Sequence, residues 1–471
     1  MNRRSIFQFA AVAACALSVS MVRGAPSSIR MVTNTADAGP GSLREAIVWA
    51  DIHPGTVIRF KIPSETAAGR GSLPIIKPLS PLPIISGART VIDGTAPATA
   101  GPVKRITPGV VINGAQIAPK ACGLHLEAAQ CVIKGLVING FSGSGIELFG
   151  PHTSENRVEG CFIGTDPTGD RGDGNRSHGI DIALGANHNA IGGTAPGAGN
   201  VVSGNGDRGV KLFGAGADDN VVEGNIIGAN AAGDAAVMNG KNGVDIDGGA
   251  KNNIIGGAAP GARNIISGNG ERGVLIASPG TNSNSVAGNF IGTNAAGTAA
   301  IPNHAYGIDI EGMSQLNTIG GATPGARNLI SGNTQAGVKI YGFETMFNEI
   351  TGNYIGTDVS GTRPLGNGDN GVDIAGGAGR NTVGGSQPGE ANRIAFNGAD
   401  GMRVYDAGTK DNTLEGNDVY ANARLGIEWA DGAADRNSHL NNHFAGPFLT
   451  RARTSTRPTA APHNKRAHRE H

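Results

Sequence analysis

A fixed interval of 64 residues runs through this chain and limits the folds open to it. Ile191-Gly192-Gly193 returns as Ile255-Gly256-Gly257, Ile319-Gly320-Gly321 and Val383-Gly384-Gly385. A Gly-(Ile/Val)-Asp-Ile segment starts at Gly179, Gly243, Gly307 and Gly371, and a related segment at Gly145, Gly209, Gly273, Gly337 and Gly401. The two series interleave at steps of 34 and 30, so each unit of 64 holds two similar turns of chain. Further turns begin at Gly123 and Gly426. Repeats of this size stack, because one unit alone cannot bury its apolar face.

Each turn carries three short alternating segments, such as Val210-Lys211-Leu212, Val221-Val222-Glu223 and Ile226-Ile227. Alternation over so few residues is strand periodicity, and the intervening Asn and Gly tolerate left-handed backbone at corners. Gly supplies 77 of 471 residues, yet there is no Gly-X-Y period and Pro numbers only 24, which excludes a collagen triple helix. With 38 basic against 38 acidic residues and 39% hydrophobic, the chain is neither a charge-extended disordered segment nor a globally basic nucleic-acid binder. The pattern predicts an all-β fold, a right-handed parallel β-helix of about 12 turns and about 55–60 Å at roughly 4.8 Å per turn. Asn156, Asn220, Asn284, Asn348 and Asn412 are expected to align at one corner, and Asn189, Asn253, Asn317 and Asn381 to form a second column.

Both ends of such a coil expose sheet edges that must be blunted. Ser42 followed by Glu45 forms a capping box, and Leu43, Ala46, Ile47 and Ala50 share one helical face before His53-Pro54-Gly55. A short cap helix is therefore predicted over residues 42–53. Residues 25–120 read as this cap and irregular first turns, and 121–445 as the regular β-helix. Residues 446–471 form a basic tail, predicted to be disordered. Residues 1–24 read as a signal peptide, with Asn2-Arg3-Arg4 as the positive head and Ile6 to Val19 as the apolar stretch. The alternative there is a lipoprotein box, Val12-Ala13-Ala14-Cys15, anchored through Cys15. No stretch is long enough for a confident transmembrane segment.

Val32-Thr33-Asn34-Thr35, then Gly39-Pro40-Gly41-Ser42-Leu43-Arg44-Glu45-Ala46, resembles the CSLREA-type N-terminal motif of exported bacterial β-helix repeat proteins, with Gly41 in place of the family's Cys. Gly352-Asn353-Tyr354-Ile355-Gly356-Thr357-Asp358 and Pro324-Gly325-Ala326-Arg327-Asn328 are similar to the repeats that accompany it. The resemblance implies the fold and a secreted or cell-surface location. It does not imply an activity, because function lives in sites and not in folds.

The residue two after each strand-starting Gly points outward if its apolar neighbours point inward. Along the stack these are His125, Glu147, Asp181, Lys211, Asp245, Leu275, Asp309, Lys339, Asp373, Arg403 and Glu428. Alternation of sign avoids piling like charges about 4.8 Å apart and suits a surface ion-pair ladder. The next outward column holds Phe149, Phe213, Asp247, Glu311, Tyr341 and Tyr405. Exposed aromatics beside charges suit sugar rings, so Phe213, Tyr341, Arg403 and Tyr405 are the candidate glycan-binding residues. The candidate catalytic residues are Lys211, Asp245, Asp247, Glu311 and Lys339, with Asp247 and Glu311 about 9–10 Å apart as in an inverting glycosidase.

Ser177-His178-Gly179 resembles one polygalacturonase element and Phe149-Gly150-Pro151-His152 resembles the Asp-Pro-His of β-helix mannuronan epimerases, but each lacks its partners and reads as coincidence. No cofactor or metal is expected. The alternative is Ca²⁺ on Asp166, Asp170 and Asp173 of one 14-residue excursion, Thr165 to His178, without any EF-hand spacing. Cys122 and Cys131 lie too far apart along a strand to bridge, and Cys161 occupies an inward position held elsewhere by Asn225, Asn289 and Asn353. The leading expectation is an exported protein that binds an extracellular polysaccharide without chemistry of its own. The rivals are a polysaccharide lyase, epimerase or hydrolase on the same face, and a structural surface or adhesion module.

Overall fold

The computed structural model describes residues 28–63, 73–96, 107–117, 120–430, 432 and 437–445. The expected signal peptide, Cys15 and basic tail lie outside the described residues. Among those described, the strands form three parallel sheets of 14, 13 and 11 strands. Each turn visits them in the same order, as in Val221–Glu223, Ile226–Ile227 and Val244–Asp247. The fold is a parallel β-helix, and no described helix is long and apolar enough to cross a membrane.

The core follows from register. In the 14-stranded sheet Ile191 pairs with Val222, Val222 with Ile255, Ile255 with Val286 and Val286 with Ile319. All of these side chains are fully buried, and the other two sheets contribute equivalent aliphatic stacks. Each buried Val or Ile is worth roughly 1.5–3 kcal/mol. Strand-starting glycines sit where the coil is tightest: a Cβ on Gly243 would lie 2.6 Å from Ile266 Cγ2 and 2.8 Å from Asn269 Nδ2.

Two kinds of connection alternate from turn to turn, which explains the two-turn repeat. In one turn the chain leaves the 13-stranded sheet through a hairpin pinched by an antiparallel bridge, Thr165 to Gly172, Ala229 to Ala236, Thr293 to Ala300 or Thr357 to Pro364. The hairpin tips stack on each other: Ala231 N donates to Gly169 O at 3.0 Å, Ala295 N to Gly233 O at 2.8 Å and Val359 N to Gly297 O at 2.9 Å. In the other turn the long link, such as that containing Gly193 and Gly199, joins the 14- and 13-stranded sheets.

The corner asparagines are arranged differently from expectation. Asn156, Asn189, Asn220, Asn253, Asn284, Asn317, Asn348, Asn381 and Asn412 form one continuous ladder rather than two columns. Steps of 33 and 31 residues each return to the same corner, so the two series interleave. A second ladder runs from Asn200 through Asn225, Asn264 and Asn289 to Asn442. A third runs from Asn175 through Asn205, Asn239 and Asn269 to Asn422, and the sequence reading anticipated neither of these two as a ladder. Asn253 shows the chemistry. Its Oδ1 accepts from Asn220 N at 2.9 Å and Nδ2 at 3.1 Å, while its own Nδ2 donates to Asn284 Oδ1 and Ala217 O, both at 3.1 Å. The buried amide is fully satisfied, and an Asp could not make the two donations.

The cap helix, Leu43–Ile52, closes the front as expected, burying Leu43, Ala46, Ile47 and Ala50. Ser42 Oγ accepts from Glu45 N at 3.2 Å, and Glu45 Oε2 reaches back to Gly41 N at 3.2 Å. Cys122, Cys131 and Cys161 are free thiols. Cys161 is buried at the head of the second ladder, its N–H donating to Asn200 Oδ1 at 2.9 Å, and burial pushes its thiol up to about 12.

Replacing Asn253 by Ala leaves the Asn220 backbone N–H buried without an acceptor. The expected loss is about 2–4 kcal/mol in urea unfolding. A change below about 0.5 kcal/mol, the range of ordinary surface substitutions, would show that the ladder adds nothing.

Candidate functional site

The outer face of the 11-stranded sheet carries the expected charged column. Register pairs His125 with Glu147, then Asp181, Lys211, Asp245 and Leu275 in succession. It continues through Asp309, Lys339, Asp373, Arg403 and Glu428. The column differs from expectation in its burial: Asp245 and Asp309 are 0% exposed, and Asp373 is also buried.

The cover comes from residues one position before the strand-starting glycines. Arg208 Nε and Asn242 Nδ2, the latter at 2.9 Å, both bond Asp245 Oδ2. Arg272 Nε donates to Asp309 Oδ2 at 2.8 Å and its Nη2 lies 3.9 Å from Glu311. Asn370 Nδ2 donates to Asp373 Oδ1 at 2.8 Å. His178, Arg208, Asn242, Arg272, Tyr306 and Asn370 therefore form a flanking column that sequence reasoning missed. Its signal was positional periodicity alone, because residue type changes from turn to turn.

Among the described residues, Oδ1 of Asp181, Asp245 and Asp309 is buried without a hydrogen-bond partner. Burial pushes Asp181 up to about 6 against the pull of Lys211. It pushes Asp309 up to about 6 with help from Glu311, and Asp373 to about 7 with help from Asp369. Burial drives His178, which lies 4.0 Å from Asp181 and 3.6 Å from Asp207, in the opposite direction.

The second column combines aromatics with cations. Lys211 Nζ lies 4.3 Å from the Phe213 ring centre, and Arg403 Cζ 4.4 Å from that of Tyr405. Lys339 Nζ sits 4.5 Å from the Tyr341 ring and 4.6 Å from the Tyr306 ring, and donates to Tyr306 Oη at 3.4 Å. Two of the rings lean across the glycine of the next turn. A Cβ on Gly376 would be 2.6 Å from Tyr341 Cε2, and one on Gly248 2.9 Å from Phe213 Cε2. Tyr341 remains 42% exposed. Asp247 is tied into the corner by Ser278 Oγ and Gly248 N, whereas Glu311 is half-buried beside Arg272. The candidates thus fall into local pairs, Lys211 with Phe213, Lys339 with Tyr341 and Arg403 with Tyr405, and Lys211 stands four turns from Lys339.

At the front of the sheet His125 bridges Glu147 at 2.7 Å and Glu127 at 2.9 Å, and Cys122 Sγ donates to the same Glu147 oxygen at 3.4 Å. The hydrogen bond to Glu147 raises the imidazole and lowers the carboxyl, and burial pushes the Cys122 thiol up to about 12. A thiol held protonated in this way is a poor nucleophile. In the first excursion Asp166 Oδ1 accepts from Thr168 Oγ1 at 2.8 Å and Asp170 N at 3.2 Å, closing a turn. No group of three His, Cys, Asp or Glu is arranged to hold a metal ion among the described residues.

No family model and no curated protein matches the chain. Solved structures of similar shape include the A-module of the Azotobacter vinelandii mannuronan C-5 epimerase AlgE4, at 15% identity and TM-score 0.40 over 89% of this chain and 96% of that one. The A-module of AlgE6 from the same organism gives 13% and 0.42 over 88% and 100%. The periplasmic alginate epimerase AlgG gives 13% and 0.40 over 83% and 84%.

The Asp309 shift has a measurable consequence. The folded protein holds this proton up to about pH 6, while the unfolded chain releases it near pH 4. Its contribution to stability is therefore fully present below pH 4 and falls as pH rises to about 6. Asp309→Asn should gain on the native protein by on the order of 2 kcal/mol across that window. Urea unfolding at pH 4 to 8 measures this, and a pH-independent difference would refute it.

Proposed function

We propose that this is an exported protein that binds an extracellular or cell-surface polysaccharide along the outer face of the 11-stranded sheet, without altering it. The observation that carries the reading is the in-register row of Phe213, Tyr341 and Tyr405, each with a cation against its ring. A sugar ring stacks its apolar face on an aromatic, and the neighbouring Lys and Arg supply donors to its hydroxyls. Asp245 lies beneath Arg208 and Asn242, away from any polymer, which favours a supporting role over a catalytic one.

A chemical step on the same face is the second reading, favoured by Lys339 Nζ against Tyr306 Oη. Tyr306, Lys339 and Glu311 would then exchange a proton with the sugar, as a lyase or epimerase requires. Unsaturated-uronate absorbance and reducing-end assays separate the two readings, since passive binding yields neither signal.

Retention of the purified protein in polysaccharide-containing gels tests the proposal. Tyr341→Ala with Tyr405→Ala should weaken retention by about tenfold, the loss of roughly one good contact, while far-ultraviolet circular dichroism stays unchanged. Equal retention of native and variant protein on every polymer would remove the binding reading and leave a structural surface module.

A further inference from the structure

The corner that follows the 11-stranded sheet carries a hollow of about 500 Å³ outside both charged columns. That volume lies in the range of small-molecule sites. Gly376, Gly377, Gly379, Ala407 and Gly408 line it with little or no side chain, and Asp411 lines it as well. Phe343, 66% exposed, and Met346 also line it. Arg380 and Lys410, both exposed, line the same hollow.

The corner is built at a conformational cost. The residue before each asparagine of the first ladder is left-handed, and at Asp219 and Asn252 this is a residue suited to it. Leu316 and Phe347 occupy the same position with φ of +59° and +58°, while 54% and 44% exposed. A left-handed conformation costs such residues roughly 1–2 kcal/mol.

The charges are available. Arg380 contacts the Phe347 ring at 5.7 Å and Met346 Sδ at 4.0 Å. Among the described residues neither Arg380 nor Lys410 forms an ion pair, while Asp411, which lines the same hollow, has an interaction of its own, so the lining carries two cations against one carboxylate. The hollow adjoins the aromatic row, because Gly376 in its lining is the glycine that Tyr341 leans over.

We infer that this hollow is a subsite for one carboxylate-bearing sugar residue of the polysaccharide, its ring against Phe343 and its carboxylate between Arg380 and Lys410. The inference rests on the binding reading above and adds a preference for acidic polymers. A concave, glycine-lined hollow fits a ring, whereas a lipid surface or a protein partner would call for a protruding or broad apolar face.

Binding of the full chain to polygalacturonate, hyaluronan and their carboxyl-reduced forms tests it, with anionic phosphatidylglycerol vesicles as a further arm. Arg380→Gln with Lys410→Gln should weaken binding to the acidic polymers by about tenfold or more and flatten its salt dependence. Binding to the reduced polymers should stay within about twofold, and Phe343→Ala should weaken both classes. Both charge positions are exposed, so the variants should keep the native dichroism spectrum. Undiminished acidic-polymer binding in the charge variant, alongside a loss in Tyr341→Ala/Tyr405→Ala, overturns the subsite and leaves the binding reading standing. Native protein that binds no polymer overturns both, and charge-dependent capture by the vesicles alone replaces the sugar with a lipid headgroup.

Discussion

A chain that coils into three sheets must turn a buried corner every 4.8 Å or so along its axis. Each corner strands backbone N–H and C=O groups away from water, and each left unsatisfied costs about 1–3 kcal/mol. The asparagine ladders solve this locally. One side chain supplies two donors and an acceptor that takes two bonds, as at Asn253, and its length matches the turn spacing. The aliphatic core, the glycine-tight strand starts and the charged outer columns all inherit their register from these corners.

In-register stacking also governs the outer face. Any residue type repeated on it meets its own kind directly above and below, so like charges are mostly alternated, covered or spaced, with Glu147 beside Asp181 the acidic pair that is not. The protein uses all three devices. Asp and Lys/Arg alternate from Asp309 to Glu428, Arg208 and Arg272 cover buried aspartates, and Leu275 spaces Asp245 from Asp309. The cations on the rings of Phe213, Tyr341 and Tyr405 belong to this same arrangement of charge, so ion pairs and cation–ring contacts are built on one face from one set of residues.

Much of this was legible in the sequence because a solenoid writes its geometry as spacing. The fold, the cap helix, the inward Cys161 and the membership of the charged column all follow from positions of Gly, Asn and aliphatic residues. Four features did not. The single first ladder was read as two, because steps of 33 and 31 conceal that both series return to one corner. The second and third ladders went unseen as ladders. The burial of Asp245 and Asp309 was hidden because the residues covering them change from His178 to Arg208 to Asn242 to Arg272. The strain at Leu316 and Phe347 is a dihedral property that composition does not encode.

The ladders have a direction. Every side-chain amide donates from Nδ2 toward the C-terminal neighbour and presents its Oδ1 to the N-terminal one. Aligned amide dipoles add head to tail, as peptide units do along a helix, and each polarises the next. Three such rows run side by side, so the solenoid is an electrically polar rod, with partial positive charge toward its last turns and partial negative charge toward its first. An incoming turn meets a preoriented donor at one end and a preoriented acceptor at the other, which makes the two ends of the coil unequal templates for whatever is added to them.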